Sequence, residues 1–200
     1  MFDKLTKSFP VTAREESGGD VNSLPGVLAE CFRDMGGKTL ADGFYRFHVP
    51  RSAEASNRRC ASLISGFDGK FYCFAFDWFG RELAVDLRKP DGDVIVVDPG
   101  GGEYLRSDTP FSIWHDVVAG EDDPLAYPYY LEWRAANPGV GSFRFDQCAG
   151  YLVPLFLGGE DDVSNLSLTD REVYFEICVQ LSNGVATLPA GATIESFRMS

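Results

Sequence analysis

Histidine is scarce in this 200-residue chain, with only His48 and His115, in different segments. Neither has a second histidine four residues away, which excludes the helical zinc-hydrolase pair. A nucleophile elbow of the G-x-S-x-G type is missing too, since Gly139-Val140-Gly141-Ser142 has the wrong order. His115, beside Trp114, reads as a core histidine rather than a base. The five cysteines (Cys31, Cys60, Cys73, Cys148, Cys178) include no C-x-x-C pair. Their odd number and wide scatter exclude a disulfide framework and a paired-ligand zinc site. Four of them lie in apolar company, as in Phe71-Tyr72-Cys73-Phe74, where a free thiol packs as a small hydrophobe. No apolar run reaches the roughly 18–20 residues of a membrane helix. The start Met1-Phe2-Asp3-Lys4 lacks the apolar stretch of a secretory signal. A reduced, cytoplasmic protein without membrane contact is expected. EF-hand spacing is absent as well, so neither a metal nor a cofactor is expected.

Basic residues are what the second half lacks most. Residues 1–90 hold 13 Lys/Arg against 12 Asp/Glu, and residues 91–200 hold 5 against 18. The net charge of −12 therefore comes from the second half alone. Such a balance disfavours nucleic acid and anionic membranes as direct partners and suits a basic protein. Much of the acid is clustered, in Glu121-Asp122-Asp123 and in Glu160-Asp161-Asp162. Hydrophobic residues make up 44%, with 16 Phe and 3 Trp, enough for a substantial core in a chain of one-domain length.

Periodicity orders the chain. Residues 1–21 show no sustained period and read as an N-terminal lead-in, leaving residues 22–200 as a single domain. Asn22 or Ser23 can cap a helix with Pro25 in its first turn, and Leu24, Val27, Leu28, Cys31, Phe32 and Met35 recur at helical spacing before Gly36-Gly37. After the Asp42-Gly43 turn, Phe44–Val49 alternates as a strand. Arg51–Cys60 is polar and reads as loop or short helix. A strand-rich centre follows: Leu63–Phe67 and Phe71–Asp77 around the Asp68-Gly69 turn, then Glu82–Leu87, Val94–Val97 and Glu103–Arg106. Connections this short demand antiparallel pairing. Helices return at Thr109–Val118 and Leu125–Ala136. Residues 143–157 are mixed, Thr169 with Glu172 forms a capping box for a helix running to Asn183-Gly184, and Thr193–Phe197 reads as a last strand. The pattern is α+β, a central antiparallel meander flanked by helices, in a single pair of layers.

Few chemical signals rise above this frame. Gly100-Gly101-Gly102 lies between two strands with Asp98 and Glu103 beside it, which makes a hairpin turn and repels phosphate. Asp77, Asp86 and Asp98 sit at strand ends, where a carboxylate pair could hydrolyse a glycoside. Thirty acidic residues make such placements common by chance.

Specific strings add a resemblance. Leu24-Pro25 through Gly36-Gly37 with Asp42-Gly43 resembles the N-terminal helix and turn of the SUKH superfamily. Asp77–Arg81, Leu83–Asp86, Asp98-Pro99 and Gly102-Glu103 resemble that superfamily's meander. Cys148–Asp161, Asn165-Leu166 and the helix Val173–Leu181 are similar to bacterial type VI secretion immunity proteins, a group that includes partners of secreted DNases. The resemblance implies a single SUKH-like domain, no enzymatic activity, and a cytoplasmic antitoxin role in which the chain occludes the active site of a cognate toxin through protein–protein contact. Some related proteins serve instead as scaffolds or regulators. On the toxin reading, Glu121, Asp122, Asp123, Glu160, Asp161 and Asp162 would meet a basic active-site face, with the aromatic run Tyr127, Tyr129, Tyr130 and Trp133 as anchors, Tyr127 and Tyr130 foremost.

Overall fold

The computed structural model describes residues 2–16, 18–21, 24, 26–122 and 124–187. The expected cap at Asn22 or Ser23, Pro25, Asp123 and the strand at 193–197 lie outside the described residues. The elements are α1 (Asp3–Ser8), β1 (Val11–Arg14), α2 (Gly26–Met35), β2 (Lys38–Leu40), β3 (Tyr45–Phe47), α3 (Pro50–Leu63), β4 (Phe71–Asp77), β5 (Glu82–Asp86), β6 (Asp93–Asp98) and β7 (Glu103–Pro110), followed by α4 (Phe111–Val118), α5 (Tyr127–Ala136), β8 (Gln147–Tyr151), β9 (Leu166–Asp170) and α6 (Arg171–Ala186). β1 to β7 form one antiparallel sheet in sequence order, and β8 and β9 pair separately. The α+β meander is as expected.

Helices cover both faces of the sheet, so the expected single pair of layers becomes three. Period-2 alternation shows why. Leu83 and Val85 of β5 and Val94 and Val96 of β6 join the larger core, which also takes in α1, α2, α4 and α5. Their neighbours Ala84, Ile95 and Val97 turn to the other face and meet Cys60 of α3 and Phe175 and Val179 of α6. Strands buried on both faces read as continuous apolar runs. Trp78, Trp133, Phe44 and Phe111 are fully buried. Each such side chain contributes about 1.5–3 kcal/mol by leaving water.

Residues 1–21 are more than a lead-in. Phe2, Leu5 and Phe9 are buried in the main core, and β1 pairs with β2, Val11 facing Leu40. Three anchors at helical spacing are too few to register as a period. Residues 51–60 are helical, and the helix continues to Leu63, which removes the strand expected at Leu63–Phe67. The buried side of α3 is built from Pro50, Ala53, Ser56 and Cys60. These residues are too small or polar to draw an apolar stripe. Asp170, not Thr169, caps α6, its carboxylate accepting from the Glu172 and Val173 N–H groups. Thr169 belongs to β9, whose residues face the solvent in part.

All five cysteines are buried and free, as packing side chains should be. Among the described residues no helix is long and apolar enough to cross a membrane, and no group of His, Cys, Asp or Glu is placed to hold a metal.

Candidate functional site

The strand-end carboxylates are committed to turns. Asp77 accepts from the Phe79 and Arg81 N–H groups, each at 3.0 Å, and from Arg81 Nε at 2.6 Å. Burial nevertheless raises its pKa. Asp86 accepts from the Arg88 backbone at 2.9 Å and from its guanidinium at 2.8 and 2.6 Å. Asp98 accepts from Gly101 N–H at 3.0 Å, closing the glycine hairpin. Each group holds the turn that follows its own strand.

A denser polar cluster sits under α3 and α6. β3 and its successor His48 alternate, so Tyr45 and Phe47 enter the main core while Arg46 and His48 face the other way. His48 Nε2 lies 2.7 Å from Glu82 Oε2, and His48 Nδ1 lies 2.9 Å from Ser52 Oγ. Ser56 donates to Glu82 Oε1 at 2.8 Å, and Arg171 Nη1 donates to the same oxygen. Arg46 and Arg171 both stack on Phe76, at 4.5 and 4.1 Å. Burial pushes Arg46 down to about 10, and the Arg171 charge adds to the effect. Burial alone would raise Glu82, but Arg171 and His48 hold it down to about 2. Burial lowers His48, so the ring is neutral. With ionised Glu82 accepting from Nε2–H, Nδ1 is left to accept the Ser52 hydroxyl proton.

Ser52, His48 and Glu82 thus have the relay geometry of a nucleophile, base and orienting carboxylate. Ser52 lines a cleft of about 460 Å³ with Arg51, Arg58 and Phe145. Its hydroxyl has a second commitment, however. It accepts from Val49 N–H at 3.1 Å and lies 3.0 Å from Val49 O, which caps α3. Sequence reading missed this cluster because its members come from a strand end, two helices and a second strand. His48 and Ser52 were close in sequence, but nothing marked Glu82 as their partner.

The acidic triplets occupy different places. Glu121 lies at the end of α4, beside Lys4, Ile113 and Asp116; Asp122 is exposed in the loop after it. Glu160, Asp161 and Asp162 lie in the loop joining β8 to β9, and all three are exposed. No described contact joins the two groups. Tyr130 is not available as an anchor. It is 2% exposed, and its hydroxyl donates to the carbonyls of Ala41 and Asp42. Tyr127 is half-buried, its ring 4.6 Å from Phe44 and 5.1 Å from Phe9. Both face inward because Phe9 and Phe44 supply the aromatic wall behind α5.

The β8–β9 loop is a built structure. Asn165 donates to the carbonyls of Val153 and Glu160 and accepts from Val153 N–H, at 2.9, 2.8 and 3.0 Å. Tyr151 Oη donates to Asp161 Oδ1 at 2.6 Å, and Asp162 caps Ser164. The loop packs beside Tyr129 of α5, a member of the aromatic run expected to supply anchors. Burial raises the Tyr129 phenol to about 12, and the charges of Asp161, Asp162 and Glu132 add to the rise. Carboxylates from the loop and from α5 therefore act on one phenol. Among the described residues none of Glu132, Glu160, Asp161 and Asp162 is paired with a lysine or arginine. Leu152 and Val153, at the mouth of the loop, are 66% and 46% exposed.

A solved structure shares this fold. The crystal structure of Atu4351 from Agrobacterium tumefaciens matches with a TM-score of 0.66, covering 90% of this chain and 89% of that one, at 16% identity. At that identity the likeness carries the fold alone. No protein-family model and no curated protein matches the chain.

Proposed function

We propose that this chain is a non-enzymatic, cytoplasmic binding protein that neutralises a cognate bacterial toxin by covering its basic active-site face, the expected toxin being a type VI-secreted nuclease. The observation that carries the reading is the unpaired acidic surface of the β8–β9 loop with Glu132, held in place by Asn165 and Tyr151. A nuclease grips phosphates with lysine and arginine, and a fixed acidic surface competes for those charges. Its field also speeds capture at low salt. The resemblance to type VI secretion immunity proteins supports the same reading, as does the run of residues carrying it, which coincides with this loop.

The test is inhibition. The tagged chain is used to recover a stoichiometric partner from the native bacterium, and the partner's nuclease activity is assayed with and without the chain. The expected result is loss of that activity, with association slowed about tenfold at low ionic strength by the triple variant Glu160→Lys, Asp161→Lys, Asp162→Lys. A partner without toxin activity would favour a SUKH-like scaffold or regulator. Unchanged association would remove the loop from the interface.

The Ser52–His48–Glu82 relay favours a second reading, a serine hydrolase acting on a substrate in the cleft beside Arg51 and Arg58. The first reading treats the same contacts as an anchor for α3, since Glu82 is held by three donors and Ser52 caps the helix.

A further inference from the structure

Behind the acidic loop, the β8–β9 pair and α6 enclose a groove. Leu152, Leu168, Tyr174, Ile177 and Leu181 line it, and its volume is about 240 Å³. Gly150 forms part of the floor. A Cβ there would come within 2.6 Å of the Tyr174 ring, so the glycine lets that ring lie flat against β8. Small-molecule sites occupy roughly 300–1,000 Å³. This groove is smaller and fits a single large side chain.

Its surroundings point to the kind of partner. Leu152, 66% exposed, forms part of its wall, with the exposed Val153 next to it in the chain. Exposed apolar residues grouped around a concavity mark an interaction surface rather than solvent chance. The rim is acidic where it meets the loop: Glu160, Asp161 and Asp162 are exposed there, and Asp161 is hydrogen-bonded to Tyr151, itself part of the lining. Among the described residues none of these three is paired with a lysine or arginine.

We infer that this groove seats one aliphatic side chain of a basic partner segment, with flanking lysines or arginines meeting the acidic rim. The inference rests on the proposed basic partner and adds the anchor that the charges alone do not supply. Interface energy concentrates in a few well-packed, desolvated anchors.

The probes are three short peptides, Lys-Lys-Leu-Lys-Lys, Lys-Lys-Gly-Lys-Lys and Glu-Glu-Leu-Glu-Glu, titrated into isotope-labelled chain at low ionic strength and followed by amide chemical shifts. The leucine–lysine peptide is expected to bind about tenfold tighter than the glycine one, the worth of one seated aliphatic side chain, with shifts in β9 and α6. Two variants should bring that ratio toward one: Ile177→Trp, which fills the groove, and Leu152→Ser, which removes an exposed wall without disturbing the core. Their own amide spectra report folding. Equal binding of both lysine peptides to the native chain would overturn the groove while leaving the basic-partner reading intact. If neither lysine peptide bound better than the glutamate peptide, the basic-partner reading would fail and the groove proposal with it.

Discussion

Replacing His115 by Phe should flatten the acid limb of the stability curve. The imidazole is fully buried, ringed by Phe2, Phe47, Phe74 and Phe111 at centroid distances of 4.7, 5.5, 5.7 and 5.5 Å. Its Nε2 lies 3.4 Å from Tyr45 Oη, and its Nδ1 has no partner among the described residues. Burial pushes its pKa from 6.5 down to about 3. The folded state therefore resists a proton that the unfolded chain accepts. Stability from this group is present above pH 6.5 and is lost as pH falls toward 3. Between pH 7 and pH 5 the loss is about 2 kcal/mol, since each unit of pH below the unfolded value costs about 1.4 kcal/mol. A phenylalanine fits the aromatic wall and does not titrate. Guanidinium unfolding at pH 7 and pH 5, followed by tryptophan fluorescence, measures the change for both proteins. The missing Tyr45 contact affects both pH values alike and cancels in the difference. If the native chain and His115→Phe lost equal stability on acidification, His115 would not be held neutral by its surroundings and the reasoning would fail.

Other outcomes follow from the buried cluster. Glu82→Gln strands Arg171 beside Arg46 without its counter-charge and should cost about 3–5 kcal/mol, read as a lower guanidinium midpoint, whereas Glu82→Leu with Arg171→Met should recover most of that loss. In the native chain Glu82 is lowered to about 2; its contribution is therefore complete above pH 4.5 and fades as pH drops toward 2. Ser52→Ala removes the reciprocal cap of α3 and should cost about 1 kcal/mol. An alkyl fluorophosphonate should leave the native chain unlabelled, and labelling that vanished in Ser52→Ala would favour the hydrolase reading instead.

The meander was legible because its turns announce themselves. Asp42-Gly43, Pro90-Asp91-Gly92 and Gly100–Gly102 punctuate apolar strands at intervals too short for crossovers, whereas Asp68-Gly69 follows α3 and joins no two strands. What stayed hidden depended on tertiary context. α3 buries Ala53, Ser56 and Cys60, so its stripe is not hydrophobic by composition. α1 is anchored by Leu5 with Phe2 and Phe9 at its ends, fewer residues than a period needs. The acidic residues were legible as a tendency of the second half but not as a surface. Tyr129 and Tyr130 read alike as members of one aromatic run, although neighbours on a helix point roughly 100° apart. Only the position of Phe9 and Phe44 behind α5 decides which of the two faces inward.

The two charged clusters divide the work by exposure. Inside, Glu82 meets His48, Ser56 and Arg171, and Arg46 lies on three backbone carbonyls, so these charges are spent on holding α3 and α6 to the sheet. A neutralised, buried charge exerts no pull on a distant partner. Outside, the Asp161 carboxylate is tied by the Tyr151 phenol and that of Asp162 by the Ser164 N–H rather than by cations, while Asn165 holds the backbone at Glu160, which fixes the loop and leaves its charge uncompensated among the described residues. A surface meant only for solubility has no need of Asn165 bridging Val153 and Glu160 or of Tyr151 gripping Asp161. Rigid placement of unpaired charge lowers the ordering cost of binding, and it does so beside a groove sized for one side chain. The same segment carries both the charge and the anchor, so a partner engaging this end of the molecule finds steering and seating in a single loop.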